Sequence, residues 1–423
     1  MEAILENKKN DRFYLIYSSL AGFLLIGFYY LLRFAFSLGL EASFLITFLL
    51  FTVFFDIRHL FPTYSRTLFD RHFMTENRKW FHLAWIIILF FPIIGFVLLS
   101  QGEFSSYNSY IVFGFMIRAT YVLGFYHLVK QNWGFMAIYK KKFGEPEDGS
   151  DRWEKIMLIS GAFISFVYLS KLSPVWFNRV DNIAFNPPAE QLQYVLEFWE
   201  KIAISCCGVG LLFIFIGFAL KVVPQFKKVS QNVGFLFLGF FIIIKWILEA
   251  GKDPVLNFLL IALIVLFVLS SAIVIRRTVV HKIYNKEKFL VLISSLILYN
   301  GIALIPLENI HLFAMAVTFP HNIQYLRFVN VFNKRYYENS KNDHGFAKVL
   351  ATKTLLFFAL SLIYSVVFEA FRTGIASLPI YTSSFDYFRN LISVLFLGIV
   401  LHHYFLDAVI WRVRKDKDLS EIV

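Results

Sequence analysis

In four long apolar runs of this chain, a histidine has a second polar side chain at helical spacing. The last of them, Leu401 to Arg412 (LHHYFLDAVIWR), holds the adjacent His402 and His403 together with Asp407. His403 and Asp407 are four apart and share a helical face, so they can ligate one metal or form an imidazole–carboxylate pair. His402 points roughly 100° away, toward a second ion or a different helix. An ionisable group at membrane depth is costly and marks a functional site by default.

The other three runs repeat the theme. FFDIRHLFP places Asp56 and His59 three apart, where the carboxylate can ligate the same metal or fix the imidazole tautomer. The competing reading is a boundary salt-bridge cluster of Asp56, Arg58 and His59. YHLVKQNWG stacks His127 and Gln131 on one face, with Arg118 nine residues earlier as a candidate for an anionic substrate group or a buried carboxylate. FPHNIQYLR puts His321, Gln324 and Tyr325 on one face just after Pro320, which removes a helix hydrogen bond and is expected to kink the segment. Gln131, Gln324, Tyr325 and Arg118 are therefore expected at a substrate, and His59, His127, His321, His402, His403, Asp407 and Asp56 at a metal. Imidazoles and carboxylates with no thiolate suit iron, zinc or manganese.

These residues need a scaffold, and the composition says which kind. The 423 residues are 58% hydrophobic and only 17% charged, below the quarter expected of soluble domains, which implies an all-α polytopic membrane bundle. About twelve candidate spans lie near 13–36, 42–62, 80–100, 108–138, 154–172, 195–220, 231–250, 254–275, 289–306, 310–333, 348–371 and 385–411. The first reads as a retained anchor. The net charge of +12 gathers in alternate loops, at Lys8, Lys9, Arg66, Arg71, Lys140 to Lys142, Lys227, Lys228, Arg276, Arg277, Lys334, Arg335 and Arg412 to Lys417. That is the positive-inside pattern of an N-in, C-in protein of the inner (cytoplasmic) membrane, and it replaces a nucleic-acid partner as the reason for the charge. Two adjacent cysteines, Cys206 and Cys207, exclude a disulfide framework.

No soluble domain is expected. The outside connection near 172–192 is too short to fold alone, and the acidic stretch FGEPEDGSD reads as a flexible connector. Residues 1–423 form a single membrane domain with a weak six-plus-six echo that breaks near 221–230. The histidine runs share one direction, and each histidine precedes its basic boundary by roughly 7 to 13 residues, about 10 to 20 Å. They fall in one layer of the cytoplasmic half. Lys245 and Glu249, four apart, read as a self-neutralising pair, whereas Glu369 has no evident partner. His72, His82, His281, His311 and His344 sit near loops and boundaries, outside the set.

The segments HLVKQNWG, HNIQY and HHYFLD resemble those of uncharacterised bacterial polytopic membrane proteins. In layout the chain is also similar to integral-membrane non-haem iron enzymes, the fatty-acid desaturases and carotene-cleaving dioxygenases, although their HxxxH and HxxHH boxes are absent. That layout implies a metal-dependent, oxygen-using oxidoreductase acting on a lipophilic substrate, with the bilayer and an electron-donor protein as partners. A secondary transporter would use the same groups to carry protons or bind substrate. A membrane glycosyl- or acyl-transferase is disfavoured because no large outer domain is present. Reporter fusions at Lys141, Lys227, Lys341 and the C-terminus should read cytoplasmic, and fusions at Asn186 and Lys252 external. An external C-terminus would remove the common layer.

Overall fold

A computed structural model describes residues 4–90, 105–146, 151–172, 254–281, 284–307, 310–376 and 383–410, with short helical pieces between 93 and 97 and between 200 and 242. Among the described residues every regular element is a helix. In chain order they are α1 (Lys8–Ala35), α2 (Leu40–Thr67), α3 (Arg71–Trp85), α4 (Ser105–Phe143), α5 (Asp151–Leu172), α6 (Pro254–His281), α7 (Lys286–Ala303), α8 (Ile310–Asn339), α9 (Phe346–Thr352), α10 (Thr354–Ala376) and α11 (Ser383–Ile410).

Six of these contain a stretch long and apolar enough to cross a bilayer: α1, α2, α5, α6, α10 and α11. The sequence reading expects about twelve. Much of the expected third, sixth and seventh spans, the pair Lys245 and Glu249, the connection near 173–199, the break near 221–230 and the basic tail from Arg412 lie outside the described residues. α8 misses the six for a chemical reason. Pro320, His321, Asn322, Gln324 and Arg327 make it polar, and it runs through the middle of the bundle, against α1, α2, α4, α7 and α9. A helix enclosed by protein can carry such a load, whereas one facing lipid cannot. α6 is the opposite case, with Phe258, Ile261, Val268 and Val279 all more than half exposed, as a lipid-facing helix requires. α8 also continues as one helix through Pro320.

Close helix approach is set by small residues, as expected where lipid gives no hydrophobic drive for helix association. On α1, a Cβ at Gly22 would stand 2.4 Å from the Ala316 carbonyl oxygen of α8. Any larger side chain there would push the two helices apart.

The acidic stretch after α4 is expected to be a flexible connector, and residues 147–150 of it lie outside the described residues, but its first carboxylate is anchored. Glu145 is buried and accepts from Lys288 Nζ at 2.7 Å and Asn285 Nδ2 at 2.9 Å. Lys288 also donates to buried Glu154 at 2.7 Å, so the ends of α4, α5 and α7 meet on one ammonium group. Removing the cation would leave Glu145 with Asn285 alone and Glu154 with Arg277 at 3.8 Å. Lys288→Met should therefore cost about 3 to 5 kcal/mol, read as a large fall in the thermal midpoint in detergent. Glu154→Gln, which keeps a hydrogen-bonding partner for Lys288, should cost clearly less.

Candidate metal centre

α2 carries a π-helical turn at Thr52–Asp56, directly before the segment that bears His59. Such turns widen a helix and re-aim its side chains, and they are frequent at functional sites. Here the His59 Nδ1–H donates to the Asp56 carbonyl, which fixes the tautomer and turns Nε2 inward with a lone pair. The Asp56 carboxylate faces elsewhere and accepts from Asn322 Nδ2 at 3.4 Å. Of the boundary cluster considered for Asp56, Arg58 and His59, only a loose approach of Asp56 Oδ1 to His59 Nδ1 at 3.9 Å remains, because Arg58 turns to α10 and donates to Ser361 Oγ at 2.8 Å and the Phe358 carbonyl at 3.2 Å.

Four imidazoles from four helices close into a ring. Their centroids are 5.3 Å apart from His59 to His321, 5.0 Å from His321 to His127, 5.5 Å from His127 to His403 and 4.8 Å from His403 back to His59. Possible ligand atoms of His59, His321 and His403 all lie within 4.8 Å of one another, as do those of His127, His403 and Asp407. His403 belongs to both groups. Asp407 Oδ2 stands 3.6 Å from His127 Nε2 and 3.7 Å from His403 Nε2.

The other side of this carboxylate is held in place. Asp407 Oδ1 accepts from Thr63 Oγ1 and from the Tyr325 hydroxyl, each at 2.7 Å. With the single Thr63 proton spent on Asp407, the 2.7 Å contact between Thr63 Oγ1 and His403 Nδ1 makes Nδ1–H the donor. His403 Nε2 is thereby left with a lone pair. Nε2 of His59, His127 and His403 and both ring nitrogens of His321 are buried with no hydrogen-bond partner. Buried nitrogens in that condition are uncommon and each calls for an explanation. A cation at their centre would supply one, and imidazole with carboxylate is a donor set that iron, zinc and manganese accept.

The remaining expected site residues are placed differently. His402 stands apart from the ring, stacked on Trp85 at 4.2 Å and edge-on to Phe81 at 5.5 Å, with Nδ1 3.3 Å from the Tyr64 hydroxyl. Adjacent residues on a helix cannot both face one centre, and His403 takes the inward position. Gln131 and Gln324, expected at substrate, bind each other. Gln131 Nε2 donates to Gln324 Oε1 at 3.0 Å, and Gln324 Nε2 donates to the Leu15 carbonyl at 3.1 Å, which links α4, α8 and α1. Tyr325 reaches the centre through Asp407. Arg118 lies on α4, with its side chain outside the described residues.

Two members of the site escape a sequence search for metal ligands. Thr63 follows His59 by one turn of α2, and its hydroxyl ties α2 to both α8 and α11. Tyr404 stacks on His127 at 4.5 Å, and Gly124 makes room for it, since a Cβ there would stand 2.9 Å from the Tyr404 hydroxyl. Their signal is spacing alone: a hydroxyl four residues from His59, and an aromatic ring next to His403.

A cavity of about 340 Å³ adjoins the ring and is lined by His59, Asp56, Tyr404 and a mostly apolar wall that includes Phe48, Phe51, Leu60 and Phe125. Its far end holds Glu369 and Arg372, paired at 2.5 Å, and His311, whose Nδ1 meets the Tyr121 hydroxyl at 2.6 Å. Glu369 thus has the partner that the sequence did not reveal, one turn along α10. Among known proteins, no family model matches this sequence, and neither a curated protein nor a solved structure matches the chain.

The hydroxyl of Thr63 can be tested alone. Thr63→Val preserves shape and leaves the His403 Nδ1–H buried without an acceptor, which should cost about 1 to 3 kcal/mol. Thr63→Ser should melt close to the parent protein. Equal melting of the two variants would show that the hydroxyl holds nothing.

Proposed function

We propose that this chain is an integral-membrane, metal-dependent oxidoreductase that uses oxygen to modify a lipophilic small molecule. Iron is the metal we favour, with zinc or manganese as the alternatives. The observation that supports this reading is the inward convergence of partnerless, buried imidazole nitrogens beside a carboxylate oxygen. Bound there, such an ion supplies Lewis acidity and, as iron, one-electron and oxygen chemistry.

The protein's own part is positional. The Asp56 carbonyl and the Thr63 hydroxyl orient His59 and His403 through their Nδ1 atoms, the role that outer partners of ligating histidines usually play. Thr63 and Tyr325 occupy one oxygen of Asp407, which leaves the other facing the ring. The adjoining cavity falls within the size range of small-molecule sites, and its aromatic wall would exclude water and favour an apolar substrate. Glu369 and Arg372 would meet a polar group at the far end of that substrate, and Asp56 one near the ring.

The membrane arrangement proposed with it is about twelve spans, both termini cytoplasmic, in the inner membrane. The ring would then sit in the cytoplasmic half, within reach of an electron-donor protein that docks on the basic loops.

Metal analysis of the purified protein tests the reading directly. Near-stoichiometric metal is expected. Alanine at His59, His127, His321 or His403 should lower it severalfold without loss of the folded bundle, whereas His402→Ala should leave it unchanged. Tyr325→Phe should weaken metal affinity on the order of 10- to 100-fold. Metal-free protein that drives solute uptake into vesicles would overturn the enzyme reading and make the ring a proton path.

A further inference from the structure

A second imidazole–carboxylate pair lies where α2, α3, α8 and α9 meet, at an end of the bundle rich in basic residues. Asp70 caps α3 and is almost fully buried. Its carboxylate accepts from the Phe73 N–H at 3.1 Å and from the Tyr337 hydroxyl at 3.0 Å. His344 is completely buried, and its Nδ1 stands 3.0 Å from both Asp70 oxygens. A carboxylate that receives all these contacts is an acceptor throughout, so Nδ1 carries a proton, and in the neutral imidazole Nε2 carries the lone pair. That lone pair meets Ser340 Oγ at 2.7 Å. The Ser340 hydroxyl must then be the donor, and its oxygen also accepts from the Asn342 N–H at 3.3 Å.

Nucleophile, base and orienting carboxylate are therefore in contact in the order that such triads share whatever their order in the chain. Tyr337 and Tyr336 pack on the His344 ring at 4.7 and 5.4 Å and hold its plane. Ser340 itself is only partly buried, and the next three residues, Lys341, Asn342 and Asp343, are exposed. The turn is pinned through Asp343, which accepts from the Gly345 N–H at 2.9 Å and from Arg71 at 3.1 Å. That N–H first, and the guanidinium with it, hold the Asp343 carboxyl below its usual range. Gly345 itself has φ +58°, a conformation that favours glycine.

We propose that Ser340, His344 and Asp70 form a serine acyl-transfer site for an ester or thioester with an apolar acyl group and an anionic leaving group. Leu68, Phe69 and Phe346 form an exposed apolar ridge beside the turn, while Lys341 supplies positive charge next to the Arg71–Asp343 pair. Ser340 Oγ attacks the acyl carbon while His344 Nε2 takes the hydroxyl proton. Collapse of the adduct breaks the bond to the leaving group, which receives that proton, and leaves an acyl–Ser340 ester. Water, deprotonated by His344, then releases the carboxylic acid and restores the serine. The site shares no residue with the histidine ring and stands or falls apart from it.

The test is labelling of the purified full-length protein with a fluorophosphonate, followed by peptide mass spectrometry. The adduct should map to Ser340 and vanish in Ser340→Ala, with the protein still folded and its melting temperature lowered only modestly by the loss of the bond to His344. Asp70→Asn keeps the helix cap but disturbs the histidine tautomer, and should slow labelling by 100-fold or more. Absence of an adduct at Ser340 in folded protein, or an Asp70→Asn rate equal to the parent's, would overturn the proposal and leave a structural clamp. Incubation with anionic phospholipid vesicles in one arm, and a soluble long-chain acyl thioester bearing phosphates in the other, should acylate Ser340 in one arm and so assign the source. Acylation in neither arm would overturn the substrate class.

Discussion

A carboxylate buried in an apolar bundle must be surrounded by donors, and Asp407 organises its neighbourhood through that demand. It is almost fully buried, and two hydroxyls from two other helices converge on one of its oxygens. Three helices are thereby fixed in register by groups that would each be costly to leave unmade. The arrangement also has a direction. Oδ1 is consumed by structure, while Oδ2 looks toward imidazole nitrogens that have no partner. Saturating one side of the residue keeps the other side available.

The same economy governs the histidines. His59 and His403 each spend Nδ1 on an anchor and turn Nε2 inward, so their rings are oriented before any ligand arrives. His127 is positioned differently, by the stacked ring of Tyr404, which approaches closely only because residue 124 is glycine. The surrounding wall is aromatic and aliphatic, so little competes with the ring for a polar ligand except Asp56 and the groups at the far end of the cavity. A low local dielectric strengthens such interactions and penalises any nitrogen left unpaired.

What the sequence reveals follows from what spacing can encode. An all-helical, membrane-like chain is legible from composition, and the four inward histidines from their position in apolar runs. The choice between His402 and His403 is not, because adjacent residues differ only in helical phase, and the phase of α11 is set by its packing on α4 and α2. Gln131 and Gln324 carry the signature of a substrate site but satisfy each other, a pairing between helices 193 residues apart in sequence. Thr63 is invisible for the opposite reason, since a threonine near a helix end looks like ordinary boundary chemistry. Glu145 reads as a solvated loop residue until Lys288, from a helix much later in the chain, is seen to reach it. In each case the missing information is a tertiary partner, whereas the local pattern is read correctly.

Asp70 and Asp407 pose one physical problem and meet it in two ways. Each is a buried carboxylate within reach of a histidine on another turn or helix, and each also accepts from a tyrosine hydroxyl. At Asp70 the carboxylate takes the imidazole proton directly, so the outward nitrogen is basic and meets a serine. At Asp407 a threonine stands between carboxylate and Nδ1, and the other nitrogen faces the imidazoles of the ring and, at 3.7 Å, the second oxygen of Asp407 itself. A nitrogen facing a hydroxyl has a proton donor within reach, while nitrogens facing one another present several lone pairs to one volume. The difference between the two sites lies in what the second nitrogen faces, and sequence spacing around a single histidine does not contain it.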